Sequence, residues 1–411
     1  ANDNLFKFAF TVMVTYQLSV SWLPVSLAGL VIGALFILPY LLFSATSGQL
    51  AEKYAHTVIM RWVKNCEIGI MTLAAVGFLT EQAIVLLVCT FLMGLHSTVF
   101  GPVKYSYLPR VLNEHELTGG NGITEMGTFV AILLGNVAGG LLVAIPDIGH
   151  TAVALACIVV ALFGRWMSGA IPPLAATHPN ETINWNPVTE TRRNLKLARA
   201  NPKVFQTLLG ISWMWFFGAV FLSQFPSFAK EVLHGDAQVA SLLLVLFSVG
   251  IGAGSLLCEY LSRGRVEIGL SPLGAIGMTL FAVDLYGASS NLATSELMAI
   301  QTFVTLSSHW RIMADLLLLS MFTGIYSVPM YALIQIESRS HEVARIIAAN
   351  NIINAIFMIA SSLIAGAMLS ASMTIPDIFL WTGVANAAVT LTIFMAEPLY
   401  LQRFSAWLHG H

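Results

Sequence analysis

The sequence predicts an all-α, polytopic membrane protein of about twelve spans arranged as two bundles of six helices. Three observations predict it. First, 57% of the 411 residues are hydrophobic and only 10% are charged, against about 25% charged in a soluble domain. Such a chain cannot coat a globule with polar side chains. Second, the apolar residues fall in runs of about 20, the length that crosses hydrocarbon as a helix. Third, one polar stretch, from about Pro172 to Lys203, parts these runs six from six. This composition argues against a cytosolic enzyme or a disordered chain. The net charge of −2, from 19 Lys plus Arg against 21 Asp plus Glu, offers no basic field to nucleic acid.

The apolar runs lie at about 4–20, 26–46, 63–79, 82–102, 119–144 and 151–171. They resume at about 205–229, 238–260, 267–286, 312–335, 346–370 and 377–396. The expected organisation is therefore an N-terminal bundle over 1–171, a connector over 172–204 and a C-terminal bundle over 205–411. The moderately apolar stretch from Ser289 to Trp310 reads either as an interfacial helix or as a further span. Cys66, Cys89, Cys157 and Cys258 sit in or beside apolar runs without a CxxC or Cys/His cluster, so buried thiols are expected and no metal or other cofactor. The chain opens without Met or a basic leader, as a chain does whose N-terminus lies upstream.

Basic residues orient a membrane protein, because short cytoplasmic loops collect Lys and Arg. With the two ends and the connector on one side, that side holds most of the 19 basic residues, while Lys230 and Arg311 fall opposite. Both ends and the connector are expected in the cytoplasm. The halves also resemble each other. Gly101-Pro102-Val103-Lys104-Tyr105, Asn121-Gly122-Ile123 and the glycines up to Gly140 follow the fourth run. Ser327-Val328-Pro329-Met330-Tyr331, Asn350-Asn351-Ile352 and Ala365-Gly366-Ala367 follow the tenth at nearly the same separations. Small residues there let helices approach closely.

Ionised side chains inside hydrocarbon are costly, so each is a candidate for function. Asp3 and Lys7 are spaced i,i+4 and are expected to pair on one face. Glu125 follows Asn121 by four residues, a spacing repeated by Asn350 and Asn354, and these four are expected to line a wall of a central cavity. Lys104 stands at the inner end of its run, where a phosphate could meet it. The aromatic seventh run (Trp213, Trp215, Phe216, Phe217, Phe221, Phe225, Phe228) reads either as packing or as a wall for an acyl chain. Pro39, Pro102, Pro226 and Pro329 either kink spans or end them.

The loop after the second run, Gly48-Gln49-Leu50-Ala51-Glu52-Lys53-Tyr54 followed by Arg61 and Lys64, resembles the cytoplasmic loop signature of the major facilitator superfamily. Glu52 stands for its usual Asp, and its second Gly is absent. A worn copy runs from Gly254 through Glu259 to Arg263 and Arg265. An acid at a helix end can meet basic residues and a neighbouring helix N-terminus. Gly48, Glu52, Lys53, Arg61 and Lys64, with Glu259, Arg263 and Arg265, are therefore the expected cytoplasmic gate, Glu52 latching with Arg61 and Lys64 and Glu259 with Arg263 and Arg265.

Asn2-Asp3-Asn4-Leu5-Phe6-Lys7, Gly101 to Tyr105, and Asn121 to Glu125 through Gly135 resemble the corresponding motifs of the lysophospholipid transporter family within that superfamily. The resemblance implies a major facilitator fold that flips lysophospholipids, such as lysophosphatidylethanolamine, across the bacterial inner membrane by alternating access, for re-acylation inside. It also implies the membrane's own lipids as partners, and an acyltransferase or acyl-ACP synthetase, fused or separate. The candidate substrate residues are Asp3, Lys7, Lys104, Asn121, Glu125, Gln224, Asn350 and Asn354. Relatives carry a basic residue in the seventh span and an acid in the eleventh, where this chain has Leu222, Gln224 and Asn354. Two other functions fit the composition: a proton-coupled exporter of hydrophobic drugs, its proton on Asp3 or Glu125, and a non-transporting anchor for an acyltransferase. No Walker A, G-x-S-x-G or His-x4-Asp sequence occurs, so no catalytic residue is expected. The Asn180-Glu181-Thr182 sequon falls in the connector and reads as incidental.

Overall fold

A computed structural model describes residues 1–18, 25–263, 265–290, 292, 297–339 and 341–409. The first half forms α1 (Asn2–Tyr16), α2 (Val25–Lys53), α3 (His56–Leu79), α4 (Ala83–Val111), α5 (Leu117–Val143) and α6 (Gly149–Met167). The connector carries α7 (Pro187–Ala200). The second half forms α8 (Pro202–Ser227), α9 (Ala237–Ser262), α10 (Leu270–Ser289), α11 (Ile300–Thr305), α12 (Ser307–Glu337), α13 (Val343–Ser370), α14 (Ile375–Ala396) and α15 (Leu399–Leu408). Each expected run coincides with a helix, residues 19 and 20 of the first lying outside the described residues, and among the described residues 11 helices are long and apolar enough to cross a membrane. α1, with 15 residues, is the one run that falls short of that length.

Helices outrun the apolar segments at their polar ends. α3 starts at His56 and α4 continues to Val111, because the backbone ladder does not stop where hydrophobicity does. Pro39, Pro102, Pro226 and Pro329 all lie inside helices, so none of them ends one. Polar starts are capped: Asp236 accepts from the backbone of Gln238 and Val239, and Thr374 forms a reciprocal capping box with Asp377. The stretch read as interfacial yields only the six-residue α11, and part of it lies outside the described residues.

The chain packs as two compact units that do not follow the sequence halves. Unit 1 holds Ala1–Arg110, Ala131–Ala198 and Ser338–Ala355, and unit 2 holds Val111–Val130, Arg199–Glu337 and Ile356–His411. α5 and α13 are each shared, the start of α5 belonging to unit 2 and the start of α13 to unit 1.

In unit 1, Phe6, Phe10 and Met13 of α1 are buried with Met71 and Phe78 of α3, Leu86 and Met93 of α4, and Val153 and Cys157 of α6. The Phe6 and Phe78 rings meet edge to face at 5.8 Å. Gly135 and Gly139 of α5 bring its backbone against α1, where a Cβ would strike the carbonyls of Ala1 and Leu5. The expected close packing is thus met in α5. It is not met at Gly366 of α13, whose Cβ direction is open.

Unit 2 is tied by the same device. Gly250 and Gly254 of α9 abut α12 at Leu317 and Met321, and Gly324 of α12 abuts Ile251 in return. The aromatic α8 packs inward: Phe221 stacks on Phe379 of α14 at 4.4 Å, and Trp213 Nε1 donates to Asn386 Oδ1 at 2.8 Å. These rings build a core, so the acyl-chain wall is not needed to explain them. α15 is pinned by Tyr400, whose hydroxyl lies 2.7 Å from that of Thr207, and burial pushes that phenol above its usual range. Long apolar side chains such as Leu155, Leu162, Leu363 and Leu391 are exposed, a pattern suited to lipid rather than water.

Candidate functional site

Glu52 ends α2 and is buried, but its partner is Arg345, in the first turn of α13. Arg345 Nε donates to Glu52 Oε2 at 2.6 Å. The same guanidinium reaches Glu190 Oε2 of α7 at 3.4 Å through Nη1 and pairs with Glu181 of the connector through Nη2. Glu52, Glu190 and Arg345 are 3%, 1% and 5% exposed. One cation therefore serves three carboxylates, and Glu52 Oε1 is left without a hydrogen-bond partner among the described residues.

The connector is stapled alongside. The Glu52 carbonyl accepts from the backbone of Thr177 (3.1 Å) and His178 (2.9 Å). Gln49 and Asn184 exchange two hydrogen bonds at 2.8 and 3.1 Å. Gly48 supplies the space: a Cβ there would lie 3.0 Å from Ala348 Cβ and 3.2 Å from the Ala344 carbonyl of α13. A larger residue there would press α2 away from α13 by a few tenths of an ångström.

The expected partners lie elsewhere. Lys64 Nζ donates to Glu67 one turn on, at 2.6 Å. Arg61 reaches the Gly169 carbonyl at 3.4 Å, and Lys53 lies over the Tyr54 ring. Arg61 and Lys64 stand on α3, beyond the break at 54–55, whereas Lys53 directly follows Glu52 at the end of α2.

In unit 2 the Glu259 carboxyl carbon would lie 3.0 Å from a Cβ at Gly119, in the first turn of α5. Arg263 adopts a left-handed φ of 54° that terminates α9, and the Arg265 carbonyl accepts from Thr118 Oγ1 at 3.0 Å. Neither forms an ion pair with Glu259 among the described residues, since the chain reversal carries both away. The acid after α2 and the acid after α9 thus share one placement, over the start of α13 and of α5, where the helix dipole is positive.

Of the substrate candidates, unit 1 contains Asp3, Lys7, Lys104, Asn350 and Asn354. Asp3 accepts from its own helix, at the Asn4 backbone (3.0 Å). Lys7 Nζ stands 3.6 Å from the centroid of the Phe36 ring of α2, a cation–π contact, rather than on Asp3, so the expected ion pair is not formed. Lys104 Nζ lies 4.3 Å from the Tyr105 ring centroid. Asn350 and Asn354 are buried, and Asn350 Oδ1 has no hydrogen-bond partner among the described residues. The neighbouring Asn351 fills the space left by Gly101, whose Cβ would come within 2.9 Å of its amide nitrogen.

Unit 2 contains Asn121, Glu125 and Gln224. Asn121 forms a reciprocal amide pair with Gln335 of α12, at 2.7 and 3.2 Å, which accounts for its burial structurally. Glu125 is 1% exposed. Gln224 is half-buried and donates to Ser223 Oγ at 3.3 Å.

Three groups of charged residues were missed. Arg345 reads in the sequence as one loop cation among many, and Glu181 as part of a sequon. Glu67, 2% exposed, lies within an apolar run, where the cost of a charge is signal enough. The same signal marks Asp284 of α10, paired with Arg311 of α12, and the buried Asp315 one turn beyond.

The family profile of the Major Facilitator Superfamily matches residues 2–362, so the chain belongs to that superfamily of membrane transporters. Among curated proteins it is similar to the lysophospholipid transporter LplT of Escherichia coli O157:H7 and of Escherichia coli strain SE11. Each is 27% identical over 340 residues, covering 81% of this chain and 76% of the relative. Among solved structures it is similar to the transporter FucP in the outward conformation (TM-score 0.68, 13% identity, 96% of this chain and 97% of that one). It is also similar to a bacterial homologue of the iron transporter ferroportin in an outward-facing state (TM-score 0.64, 15% identity, 98% of each). At those identities the solved structures share the fold.

Proposed function

We propose that this chain moves lysophospholipids across the bacterial inner membrane by alternating access, with both ends in the cytoplasm and delivery to the inner leaflet for re-acylation. The observation that carries this reading is the similarity to LplT over 81% of the chain. The placement of charge supports it. Lys7 stands over the face of Phe36 and in the field of Asp3, and a cation so placed suits a lipid phosphate. Asp3, one turn away, suits the ammonium of an ethanolamine head. Lys104 is the second phosphate candidate, and Asn350, with an open carbonyl oxygen, a further head-group contact.

In the same reading the Arg345 cluster is the gate. Glu52, Glu181 and Glu190 hold the start of α13 to the end of α2 and to the connector, and conduction requires that hold to break. The test is purified protein in liposomes with labelled lysophosphatidylethanolamine in one leaflet. Translocation should accelerate over protein-free vesicles. A monodisperse sample giving no acceleration refutes the proposal.

A further inference from the structure

Asp284, Arg311 and Asp315 have no place in the reading above, and they gather at one end of unit 2. Helix register brings them together. α10 and α12 run antiparallel and lock where a Cβ at Gly277 would strike the Phe322 ring and one at Gly274 the Tyr326 backbone. Seven residues, about two turns, separate Gly277 from Asp284 and Phe322 from Asp315, so both carboxyls reach the same level on facing helices. There the Asp315 carboxyl lies against that of Asp284.

Arg311, one turn before Asp315, donates from Nε to Asp284 Oδ2 at 3.0 Å and pairs through Nη2 with Oδ1. One cation thus stands against two carboxylates and is committed to Asp284. Asp315 is 3% exposed, and its Oδ2 has no hydrogen-bond partner among the described residues. A buried carboxylate in that state calls for a cation. Nη1 of the guanidinium makes no hydrogen bond among the described residues, and the Arg311 side chain is 58% exposed. A donor for an anion therefore stands at the open edge of the same cluster.

Its surroundings are those of a lipid headgroup. Trp310 is 59% exposed, with its indole N–H held by the Val304 carbonyl at 2.8 Å, as suits a tryptophan at the membrane interface. His309 stacks on Phe303 at 4.2 Å and fixes the start of α12. Asp284 tops a stripe of α10: Leu280 and Ile276, 59% and 55% exposed, precede it on the same face by about 6 and 12 Å along the axis. Charges of both signs thus stand directly above apolar surface open to lipid.

With both chain ends in the cytoplasm, as proposed, α10 ends and α12 begins at the outer leaflet. We propose that Asp284, Arg311 and Asp315 form a binding site for the phosphoethanolamine headgroup of an outer-leaflet lipid. The ammonium sits between the two carboxylates, the phosphate meets the open edge of Arg311, and the acyl chain runs along Leu280 and Ile276. An ethanolamine ammonium has N–H donors for both carboxylates, whereas a choline has none. The site is built from unit 2, whereas Lys7, Lys104 and Asn350 belong to unit 1. Its use as a loading point for the transported lipid rests on the lysophospholipid reading, and the headgroup site itself does not.

Photocross-linking tests this on the full chain in phosphatidylglycerol nanodiscs, with Leu280 replaced by the photoreactive benzoylphenylalanine. The probe is isotope-labelled lysophosphatidylethanolamine, and the adduct is read by mass spectrometry. Unlabelled lysophosphatidylethanolamine should compete about tenfold better than lysophosphatidylcholine, and D315N should lower the yield about tenfold. Equal competition by the two headgroups overturns the site, whether or not D315N folds, and so does an undiminished yield in folded D315N. Equal competition by diacyl phosphatidylethanolamine makes the occupant the membrane's own lipid and overturns the loading role, while competition by the lysolipid alone supports it. Absence of wild-type flux in liposomes overturns the lysophospholipid reading and the loading role together, while the cross-linking still decides the headgroup site.

Discussion

Replacing Arg345 by Met removes the one cation that Glu52, Glu181 and Glu190 share and leaves two almost fully buried carboxylates without it. Stripping one partner from a buried ion pair costs about 3–5 kcal/mol, and the lower figure corresponds to roughly a 150-fold change in an opening equilibrium. The contrasting variant is Glu190→Gln. Three acceptors compete for one guanidinium, so losing one charge removes about one net hydrogen bond, on the order of 1 kcal/mol or roughly fivefold. Backbone exchange reads the difference directly, because the amides of Thr177 and His178 are held on the Glu52 carbonyl. Their hydrogen–deuterium exchange should accelerate about a hundredfold or more in R345M and about fivefold in E190Q. Exchange in R345M within twofold of the wild type, with the fold intact, refutes the claim that this cluster holds α2, the connector and α13 together.

Three other outcomes follow from the same geometry. Gly139→Leu drives a side chain into the Leu5 backbone of α1 and should abolish a folded product in size-exclusion chromatography, whereas Gly366→Ala meets open space and should match the wild type in thermal melting or exceed it by up to about 1 kcal/mol. Asn121→Leu removes the buried amide pair with Gln335 at about 1–3 kcal/mol, and the double change N121L/Q335L should recover part of the loss in the same melts. On the proposed function, Lys7→Gln would remove a charge-assisted phosphate contact worth about 1.5–3 kcal/mol and should lower lysophospholipid flux by roughly 10- to 100-fold in liposomes.

Helix order was legible in the sequence because a span is written in about 20 consecutive apolar residues, and all twelve runs are helices. The glycines of α5 were legible for a similar reason, since a gap of four residues places Gly135 and Gly139 on one face. Partners were not. The loop signature marked Glu52 as an acid needing a counterion and suggested the nearest cations, Arg61 and Lys64. The actual partner, Arg345, is 293 residues away, and only the tertiary fold brings the start of α13 to the end of α2. The Asp3–Lys7 pair failed for the opposite reason. The spacing permits it, but Phe36 offers Lys7 a cation–π contact that no pattern within α1 could announce. Asn121 looked like a cavity residue because polar groups in spans are scarce, and Gln335, which satisfies it, belongs to another helix.

The charges of unit 1 are spread in a way that bears on how it could switch. Deep in the span, Lys64 and Glu67 cancel. At the end of α2 the account does not balance: Glu52, Glu181 and Glu190 exceed Arg345 and Arg193, the latter 3.8 Å from Glu190, by one negative charge, with Glu181 21% exposed on its side chain and so within reach of water. An uncompensated charge is tolerable at a wetted helix end and costly in hydrocarbon, which explains why the excess lies where it does. It also divides the labour. The deep pair is neutral within one turn of α3, whereas the cluster at the helix end answers to separation of its helices, because its attraction to Arg345 falls steeply once water enters. Weakening the Arg345 cluster by mutation should therefore leave the Lys64–Glu67 pair and its hold on Asn2 intact.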